Sequence, residues 1–395
     1  MSSLAFIKEV EKELHNILDY WTQNTIDEVN GGFIGEIAYN ETKNSKAEKG
    51  SVMYGRILWT FSAAYPVTQN PEHLKIAERA FEEIRTKFYN PIHKGIYWSI
   101  NADGTPKDTK NQIYALAFVI YGLSEFYKIS ENKEVLDLAI ILYQSIQNHS
   151  FDLEKNGYFE AYTHNWDEIE DVRLSDKDAN EKKTMNTHLH IVEAFANLYT
   201  VWKDVELKKN IIRLLEVIDQ YFIDKESWHL KLFFDEKWVE KKDVISYGHD
   251  IEAAWLLQWC AEVSEDEDLI EVFQYYAVKM TDATLEGLDK DGGLWYEYDP
   301  QVNHLVAEKH WWPQAELWIG FMNAYQLTKD KKYLDVFYKN WEFTKKYIID
   351  HKNGEWFWGI DKEYNKLQKD KTGFWKCPYH NGRACLEILK RYKED

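Results

Sequence analysis

Histidine is concentrated at a few places in this chain. Five of the thirteen histidines lie in four short segments, which read MNTHLHIVEAF, SYGHDIEAAW, EKHWWPQAELW and GFWKCPYHNGRACLE. These five are His188, His190, His249, His310 and His380. Imidazole titrates near neutral pH and can both accept and return a proton, which suits it to general acid and base catalysis. We therefore predict that these segments meet in the fold and carry out proton transfer.

Clustered histidines are also typical of metal sites. The candidate ligand sets here are His188 with His190, or His249 with Glu252. Residues two positions apart on a helix point to different sides, however, and the chain has no HExxH motif. We therefore expect acid and base chemistry and no metal.

Twelve segments carry apolar residues at helical spacing, and each predicts a helix. They cover residues 5–22, 50–66, 72–89, 111–128, 133–149, 186–202, 205–223, 247–264, 266–285, 311–328, 331–350 and 378–393. Within most pairs one helix is distinctly more charged than its partner, as in PEHLKIAERAFEEIRTKFY beside GRILWTFSAAY. An apolar helix is buried and an amphipathic helix lies outside it, so the pairs predict an inner and an outer layer.

Short stretches rich in glycine and aromatic residues follow most of the outer helices, as in KGIYWSI near Gly95 and NGEWFWGI near Gly354. Glycine followed by alternating apolar residues predicts a turn that leads into a short strand. The inner helices recur with a period of about 60 to 75 residues, which is typical of a unit that buries its core only beside its neighbours. We predict an all-α fold, an (α/α)6 barrel of six helical hairpins with short β-hairpin-like connections, forming one domain over residues 1–395.

In such a barrel the N-termini of all six inner helices lie at the same end. The histidine segments precede or begin inner helices, so they should converge there. The formal net charge of -19 argues against a nucleic-acid partner, because binding needs Lys and Arg to replace the counterions of phosphate. No stretch approaches the roughly 20 apolar residues that cross a bilayer.

The cysteines place the chain in a reducing compartment. Cys260, Cys377 and Cys385 form no CxxC pair, so neither a disulfide framework nor a cysteine zinc site is indicated. We expect a cytoplasmic protein without membrane contact, acting as a monomer or, alternatively, as a dimer.

Four segments resemble a known family. GFWKCPYHNGRACLE, SYGHDIEA, NTHLHI and EKHWWPQAE are similar to motifs of the N-acylglucosamine 2-epimerase superfamily, and within it of the cellobiose 2-epimerases. The resemblance covers essentially the whole chain and implies an (α/α)6 barrel. It also implies an enzyme that epimerises C2 of the reducing-end sugar of β-1,4-linked disaccharides and needs no cofactor. The expected substrates are cellobiose and also lactose. Leu317-Trp318 departs from the family pattern, where smaller side chains are expected.

The resemblance implies roles for single residues. His249 and His380 would transfer the C2 proton through an enediolate, one on each face of the carbon. Arg56 and His190 would stabilise the oxyanion. Arg56 has an alternative as the structural partner of a buried carboxylate. Glu252 would orient a histidine, with a simple helix N-terminal carboxylate as the alternative.

Trp312 and Trp375 match the sugar-stacking aromatic residues of the family. The other expected pocket-lining residues are Tyr114, Asn186, His188, His310 and Trp311. For each lining residue the alternative is packing in the core, which suits aromatic side chains equally well.

Two other activities remain open at this stage. A monosaccharide enzyme of the same superfamily, an N-acylglucosamine 2-epimerase or a mannose isomerase, would use the same proton chemistry. An inverting glycoside hydrolase would share the barrel but needs two carboxylates about 6.5 to 9.5 Å apart. Glu252 and Glu316 are the acids nearest to the predicted helix starts.

Overall fold

The computed structural model describes residues 3–394 and contains twelve α-helices in that range. They are α1 (Ser3–Asn24), α2 (Ser51–Thr68), α3 (Pro71–Glu83), α4 (Ile113–Ser130), α5 (Lys133–His149), α6 (Met185–Val201), α7 (Val205–Val217), α8 (Tyr247–Ser264), α9 (Glu267–Thr284), α10 (Trp311–Thr328), α11 (Lys331–Tyr347) and α12 (Tyr379–Glu394). All twelve predicted helices are present. None of them is long and apolar enough to cross a membrane within the described range.

The predicted ends of three outer helices differ from the structure. The segments predicted as 72–89 and 205–223 end in π-helical turns, at Ile84–Phe88 and Ile218–Phe222, which follow α3 and α7. The segment predicted as 331–350 ends at Tyr347. A widened last turn keeps the apolar spacing of a helix, so periodicity alone does not mark where the α-helix stops.

The even-numbered helices form a closed inner ring. In order around the ring α2 contacts α4, then α6, α8, α10 and α12, and α12 contacts α2. The odd-numbered helices lie outside and pack on them. Residues 51–62 of α2 are all buried, whereas α3 buries only one face. The predicted (α/α)6 barrel with apolar inner and charged outer helices is therefore confirmed.

Close packing within the inner ring depends on two glycines. A Cβ atom on Gly55 of α2 would lie 2.8 Å from the backbone of Phe118, and a Cβ atom on Gly122 of α4 would lie 2.5 Å from the carbonyl oxygen of Gly55. Both distances are shorter than carbon contacts allow. Larger side chains would push α2 and α4 apart, and with them the residues that they carry at the end of the barrel.

Fifteen short strands lie between the helices, all in antiparallel pairs. They are β1 (Glu36–Ile37), β2 (Lys43–Asn44), β3 (Lys49–Gly50), β4 (Tyr89–Asn90), β5 (Gly95–Ile100), β6 (Pro106–Gln112), β7 (Ala161–Tyr162), β8 (Lys183–Thr184), β9 (Phe233–Phe234), β10 (Glu240–Lys242), β11 (Ile245–Ser246), β12 (Glu297–Asp299), β13 (His304–Val306), β14 (Glu308–His310) and β15 (Gly359–Asp361). The strands β3, β6, β8, β11 and β14 each lead directly into an inner helix. This lead-in fixes the start of five inner helices.

The predicted glycine and aromatic stretches form a repeated turn after the outer helices. In the first one Ile26 pairs with Phe33 across the turn, and the Asp27 carboxylate accepts hydrogen bonds from the backbone nitrogens of Val29 and Asn30. Equivalent pairs are Phe151 with Tyr158, Ile223 with Leu230, Leu288 with Leu294 and Ile349 with Trp356. The Asx-type hydrogen bond closes the turn, so that the strand returns towards the barrel.

Four buried lysines fasten these turns to the inner ring. They are Lys49, Lys183, Lys309 and Lys371, and each pairs with an aspartate of a turn. The Nζ atom of Lys183, for example, donates to Asp152 at 2.7 Å and to the carbonyl oxygen of Asn156 at 2.8 Å. A buried charge is tolerated only with a partner, so these pairs specify where each turn docks.

Of Leu317 and Trp318, which depart from the family pattern, both are buried and Trp318 lies in the contact between α10 and α11. Trp318 is fully buried, donates from Nε1 to Asn340 at 2.9 Å and packs against Trp341 at a ring distance of 4.8 Å. The larger side chain therefore fills the space between the inner and outer rings and does not reach the end of the barrel.

Candidate active site

A cavity of about 670 Å³ opens at the end of the barrel where the inner helices begin. This volume is typical of a small-molecule site. Eleven of the twelve predicted site residues line it: Arg56, Tyr114, Asn186, His190, His249, Glu252, His310, Trp311, Trp312, Trp375 and His380. They come from the starts of all six inner helices or the residues just before them, so the predicted convergence is confirmed.

His188 is the exception and corrects the prediction. Its Nε2 atom accepts a hydrogen bond from the backbone nitrogen of Tyr158 at 2.9 Å, and its Nδ1 atom donates to the carbonyl oxygen of Thr184 at 2.7 Å. The ring also packs against Phe222 and Trp238. Burial lowers the pKa of His188 to about 3. His188 is therefore a neutral structural residue between α6 and the outer layer.

His249 and His380 both pack against one indole ring in the cavity. The ring centroid of Trp312 lies 4.8 Å from that of His249 and 5.5 Å from that of His380. The Nδ1 atom of His249 is 2.7 Å from the hydroxyl of Ser246, and the Nδ1 atom of His380 is 2.6 Å from Oε1 of Glu316. Within residues 3–394 neither Nε2 atom has a hydrogen-bond partner. Both Nε2 atoms are thus available to a molecule in the cavity.

The surroundings of the two histidines affect their protonation. Burial lowers the pKa of His249 well below its ordinary value, and the nearby side chains of His190 and Lys177 lower it further. Burial also lowers the pKa of His380 strongly, but there the carboxylate of Glu252 opposes the shift. Both rings are therefore able to accept a proton near neutral pH. Of the two, His380 has the carboxylates beside it that stabilise its protonated form.

A buried ion cluster lies beneath the histidines. Arg383 of α12 donates from Nη1 to Glu193 at 2.5 Å, and from Nη2 to Glu252 and to Glu316 at 2.7 Å each. Burial alone would raise the pKa of Glu193, but Arg383 and His190 lower it to about 2. One guanidinium thus holds three carboxylates in place below the cavity.

Glu252, Glu316 and His380 also have ligand atoms within 4.8 Å of one another, as a metal site requires. The guanidinium of Arg383 already donates to both carboxylates, and Glu316 accepts from His380. A metal ion would have to displace these donors. The trio therefore fits a salt-bridge network better than a metal site. Glu252 was expected to orient a histidine. It forms an ion pair with Arg383, and its carboxylate lies 4.0 Å from His380 Nδ1. It is not the hydrogen-bond partner of His249, whose Nδ1 atom contacts Ser246.

Arg56 and His190 lie on another wall of the cavity. The Nδ1 atom of His190 is 2.7 Å from Glu193. Arg56 donates from Nη2 to the hydroxyl of Tyr114 at 2.8 Å and lies over the ring of Phe118 at 4.2 Å. Within residues 3–394 no carboxylate forms an ion pair with Arg56. Arg56 is therefore not the structural partner of a buried carboxylate, which was the alternative to its predicted role.

The aromatic residues of the cavity differ in exposure. Trp312 and Trp375 are partly exposed, whereas Trp311 is 3% exposed and packs against Trp358 at 4.5 Å. Trp375 also packs against Trp98 at 5.7 Å. Trp312 and Trp375 therefore present ring surface to the cavity, while Trp311 belongs mostly to its wall.

His310 lines the cavity and has partners other than those of His249 and His380. Its Nε2 atom is 2.6 Å from Oε2 of Glu308, and its ring stacks on Tyr296 at 4.0 Å. Burial lowers the pKa of His310 to about 4 against the opposing effect of Glu308. Lys177, from the long connection between β7 and β8, donates to the hydroxyl of Tyr296.

Sequence reasoning missed several residues of the site. The connection between β7 and β8 contributes Val172, Arg173, Leu174, Ser175, Lys177, Asp178, Ala179 and Glu181 to the lining, and it has no periodic pattern from which this could be predicted. Glu193 and Arg383 were recognisable in principle. Each lies three residues after a predicted site histidine, one helical turn further into the barrel.

Comparisons with known proteins agree with this architecture. The family model for N-acylglucosamine 2-epimerase matches residues 32–384. The cellobiose 2-epimerase of Bacteroides fragilis is 46% identical over 385 residues, which is 97% of this chain and 98% of the relative. The solved structure of the cellobiose 2-epimerase from Bacillus thermoamylovorans superposes with a TM-score of 0.92 at 36% identity, covering 98% of this chain and 99% of that chain.

A solved D-mannose isomerase, 22% identical, superposes with a TM-score of 0.85 over 97% of each chain, which shows the shared fold. The family match extends over most of the chain, and the bacterial relative exceeds the identity at which membership is secure. The chain is therefore an enzyme that belongs to the N-acylglucosamine 2-epimerase family.

Proposed function

We propose that this enzyme inverts C2 of the reducing-end sugar of β-1,4-linked disaccharides, cellobiose first and lactose as well, and that it needs no cofactor. The observation that carries the proposal is the pair His249 and His380, which both line the cavity, both pack against Trp312 and have both Nε2 atoms available to the cavity. The name of the bacterial relatives supports cellobiose as the substrate.

The proposed reaction begins with opening of the reducing sugar to its aldehyde. The carbonyl at C1 acidifies the C2 proton, so a neutral imidazole suffices to remove it. The Nε2 atom of one histidine accepts the proton, and the electron pair of the broken C–H bond forms an enediolate. The other histidine, which is in its imidazolium form at this point, then donates a proton from Nε2 to the opposite face of C2. One imidazolium is formed and one is consumed, so protons and charge balance and the oxidation state does not change overall.

The hydrogen bonds at Nδ1 support this exchange. When His380 takes up a proton, Glu316 accepts from its Nδ1 atom and the carboxylate charge stabilises the imidazolium. His249 has the neutral hydroxyl of Ser246 at the same position. The serine oxygen can accept from Nδ1 in either protonation state of the ring.

The negative charge of the enediolate requires donors. Arg56 has no carboxylate partner within residues 3–394, so its charge is free to act on the cavity. We assign Arg56 and His190 to the oxygens at C1 and C2, where charge develops as the proton leaves. To donate to an oxygen of the enediolate, His190 must carry a proton on Nε2, and Glu193 accepts from its Nδ1 atom on the other side of the ring.

We assign the sugar-stacking role to Trp312 and Trp375, since both expose ring surface to the cavity. Trp312 contacts both histidines, so a sugar ring stacked on the indole would lie close to both of them. Tyr114, Asn186, Trp311 and His310 line the remaining walls.

Hydrolysis on the same barrel is disfavoured by the carboxylate geometry. Glu252 and Glu316 offer oxygens within 4.8 Å of each other and both accept from Nη2 of Arg383. An inverting hydrolase keeps its two carboxyl groups about 6.5 to 9.5 Å apart, with one of them free to donate a proton. The same cavity would also accept a monosaccharide. Turnover of mannose and N-acetylmannosamine, compared with that of cellobiose, distinguishes a monosaccharide enzyme from a disaccharide epimerase.

We further propose that residues 1–395 act as one catalytic domain in the cytoplasm, as a monomer or a dimer. The closed ring of inner helices supports a single domain, because no part of it completes a core alone. The three buried thiols fit a reducing compartment.

The test is incubation with cellobiose in deuterated water containing a chelator, followed by NMR. We expect a product with mannose at the reducing end and deuterium at C2. The variants His249→Asn and His380→Asn should each lose about 10² to 10⁴ in rate. His15→Asn, an exposed histidine of α1, is the matched control and should retain full activity.

Other outcomes would contradict the proposal. A ketose as the main product would indicate an isomerase, and release of glucose would indicate a hydrolase. Faster turnover of mannose or N-acetylmannosamine than of cellobiose would assign the chain to a monosaccharide. More than about a tenth of the activity left in either histidine variant would remove that residue from proton transfer.

A further inference from the structure

The inner helix α12 begins differently from the other five. They are preceded directly by strands, whereas residues 371–378 before α12 contain only an isolated bridge between Thr372 and Ile37. This irregular segment nevertheless carries Trp375 and leads into His380. Lys371 and Thr372 hold the start of the segment, but no strand pairing extends to Trp375 or His380, so other contacts have to position these two residues.

The carboxylate of Glu355 lies behind this segment and is fully buried. Its Oε1 atom accepts hydrogen bonds from Lys376 Nζ at 2.9 Å, Asn381 Nδ2 at 2.5 Å and the backbone nitrogen of Trp356 at 2.8 Å. Its Oε2 atom accepts from Trp21 Nε1 at 2.6 Å. One carboxylate therefore joins α1, the turn after α11, the irregular segment and α12.

The backbone at Glu355 is unusual for a glutamate. Its φ angle is +61°, in the left-handed region that favours glycine. The equivalent position in the first turn of the barrel, after Asn30 and Gly31, is Gly32, also with a φ angle of +61°. The glutamate thus occupies a strained position that glycine fills elsewhere in the barrel. Strained residues persist where the surroundings hold them, often at functional sites.

The two donors from the α12 side are adjacent to functional residues. Lys376 follows Trp375 and lies under the ring of Trp311 at 5.1 Å. Asn381 follows His380. Neither Lys376 nor Asn381 is exposed to solvent, so both are placed by the carboxylate and not by water.

We propose that Glu355 is a positioning residue for the epimerisation, which through Lys376 and Asn381 sets where Trp375 and His380 lie in the cavity. The inference rests on the proposed function. Glu355 does not line the cavity, so it acts on the reaction only through these neighbours. If the Glu355 carboxylate served stability alone, replacing Glu355 and Lys376 together by uncharged residues would leave the kinetics of the folded enzyme unchanged.

The test compares two double variants. Glu355→Gln/Lys376→Met removes both charges of the pair, and Asp27→Asn/Lys49→Met removes the buried pair Lys49 with Asp27, 3.0 Å apart, which holds the first turn. Melting temperature, kcat and KM on cellobiose are measured for both. Neither variant leaves an unpaired buried charge, but the Glu355 variant should melt at a lower temperature, because its amide nitrogen faces either Trp21 Nε1 or the donors Asn381 Nδ2 and Trp356 N. The kinetic constants are therefore compared below the melting temperature of both variants. For the Glu355 variant kcat/KM should fall about 100-fold, the loss that a displacement of about 1 Å can cause.

The loss should appear in kcat as well as KM, because both His380 and the stacking tryptophan are displaced. The control should keep both constants within about twofold of the parent. Glu355→Asp, which keeps the charge but shortens the reach, should also lose kcat while folding normally.

Several results would overturn the inference. They are parent-like kinetics in the Glu355 double variant, an equal loss in the control, or variants at Glu355 that all fail to fold. If the parent enzyme itself does not epimerise cellobiose, the proposed function fails first. If the parent is active and these variants are too, only the inference fails.

Discussion

Replacing Glu316 by Gln tests how much the carboxylate beside His380 contributes. Glu316 Oε1 accepts from His380 Nδ1 at 2.6 Å and from Arg383 at 2.7 Å, and Oε2 accepts from Trp255 Nε1 at 3.0 Å. All three partners are donors. The amide nitrogen of a glutamine must therefore face a donor whichever way the amide is turned.

Two effects follow and have different sizes. A buried donor left without a partner costs roughly 1 to 3 kcal/mol of folding stability. A hydrogen bond to a charged group contributes about 1.5 to 3 kcal/mol. If that hydrogen bond stabilises the imidazolium of His380 during proton transfer, its loss lowers kcat by about 10- to 150-fold.

A second substitution separates these effects. In Glu316→Gln/Trp255→Phe the amide nitrogen faces the phenyl ring, so the amide oxygen can accept from His380 and Arg383. We expect this double variant to regain most of the melting temperature lost by Glu316→Gln. It should keep the low kcat, because the charge is still absent. Trp255→Phe alone is the control for lost packing.

The measurements are thermal melts and the initial rate of C2 deuterium incorporation from deuterated water. If the double variant recovers kcat to within about threefold of Trp255→Phe, the charge of Glu316 is not needed. Glu316 would then have only a structural role beneath His380, and the acid and base assignment of the pair would lose its main support.

Two further predictions concern binding and stability. Trp312→Ala and Trp375→Ala should each lower kcat and raise KM for cellobiose, and the Phe replacements should have smaller effects. If the two tryptophans serve only as core residues, the Ala variants should instead show a large drop in melting temperature and normal kinetics in the folded fraction. In the folded protein the pKa of His188 is about 3, below the ordinary value of 6.5 for imidazole. As the pH drops from 7 to 4, the unfolded chain therefore binds a proton at His188 that the folded protein does not bind. The free energy of unfolding should fall over this range. Urea titrations should show a shallower fall for His188→Gln, and an unchanged slope would contradict the neutral buried ring.

The repeated pattern made the barrel predictable. Charged and apolar helices alternate along the chain, and the structure places them in the outer and inner rings. What the pattern could not provide is the docking of the turns. Lys183 lies in β8 and Lys309 in β14, and both are buried against aspartates of the turns. Lysine is usually solvated, so only the three-dimensional contact identifies these pairs.

The site was predictable at the level of helix starts and less so at the level of single side chains. Ser246 and Glu316 support the two proton-transfer histidines from different segments, 3 and 64 residues away along the chain. The short spacing of Ser246 and His249 is recognisable from the sequence alone. The pairing of Glu316 with His380 depends on how α10 and α12 are placed in the ring.

His188 and His190 show where helix geometry should have outweighed resemblance. Two residues along an α-helix are turned by about 200°, so both rings cannot face the same cavity. This argument disfavoured a metal site formed by His188 and His190. It also argues against the prediction that both residues line the cavity. Glu193, three residues after His190, lies on the face of α6 that looks into the barrel and binds Arg383 there. The charged partner one turn further along the helix therefore marks which of the two histidines points inward.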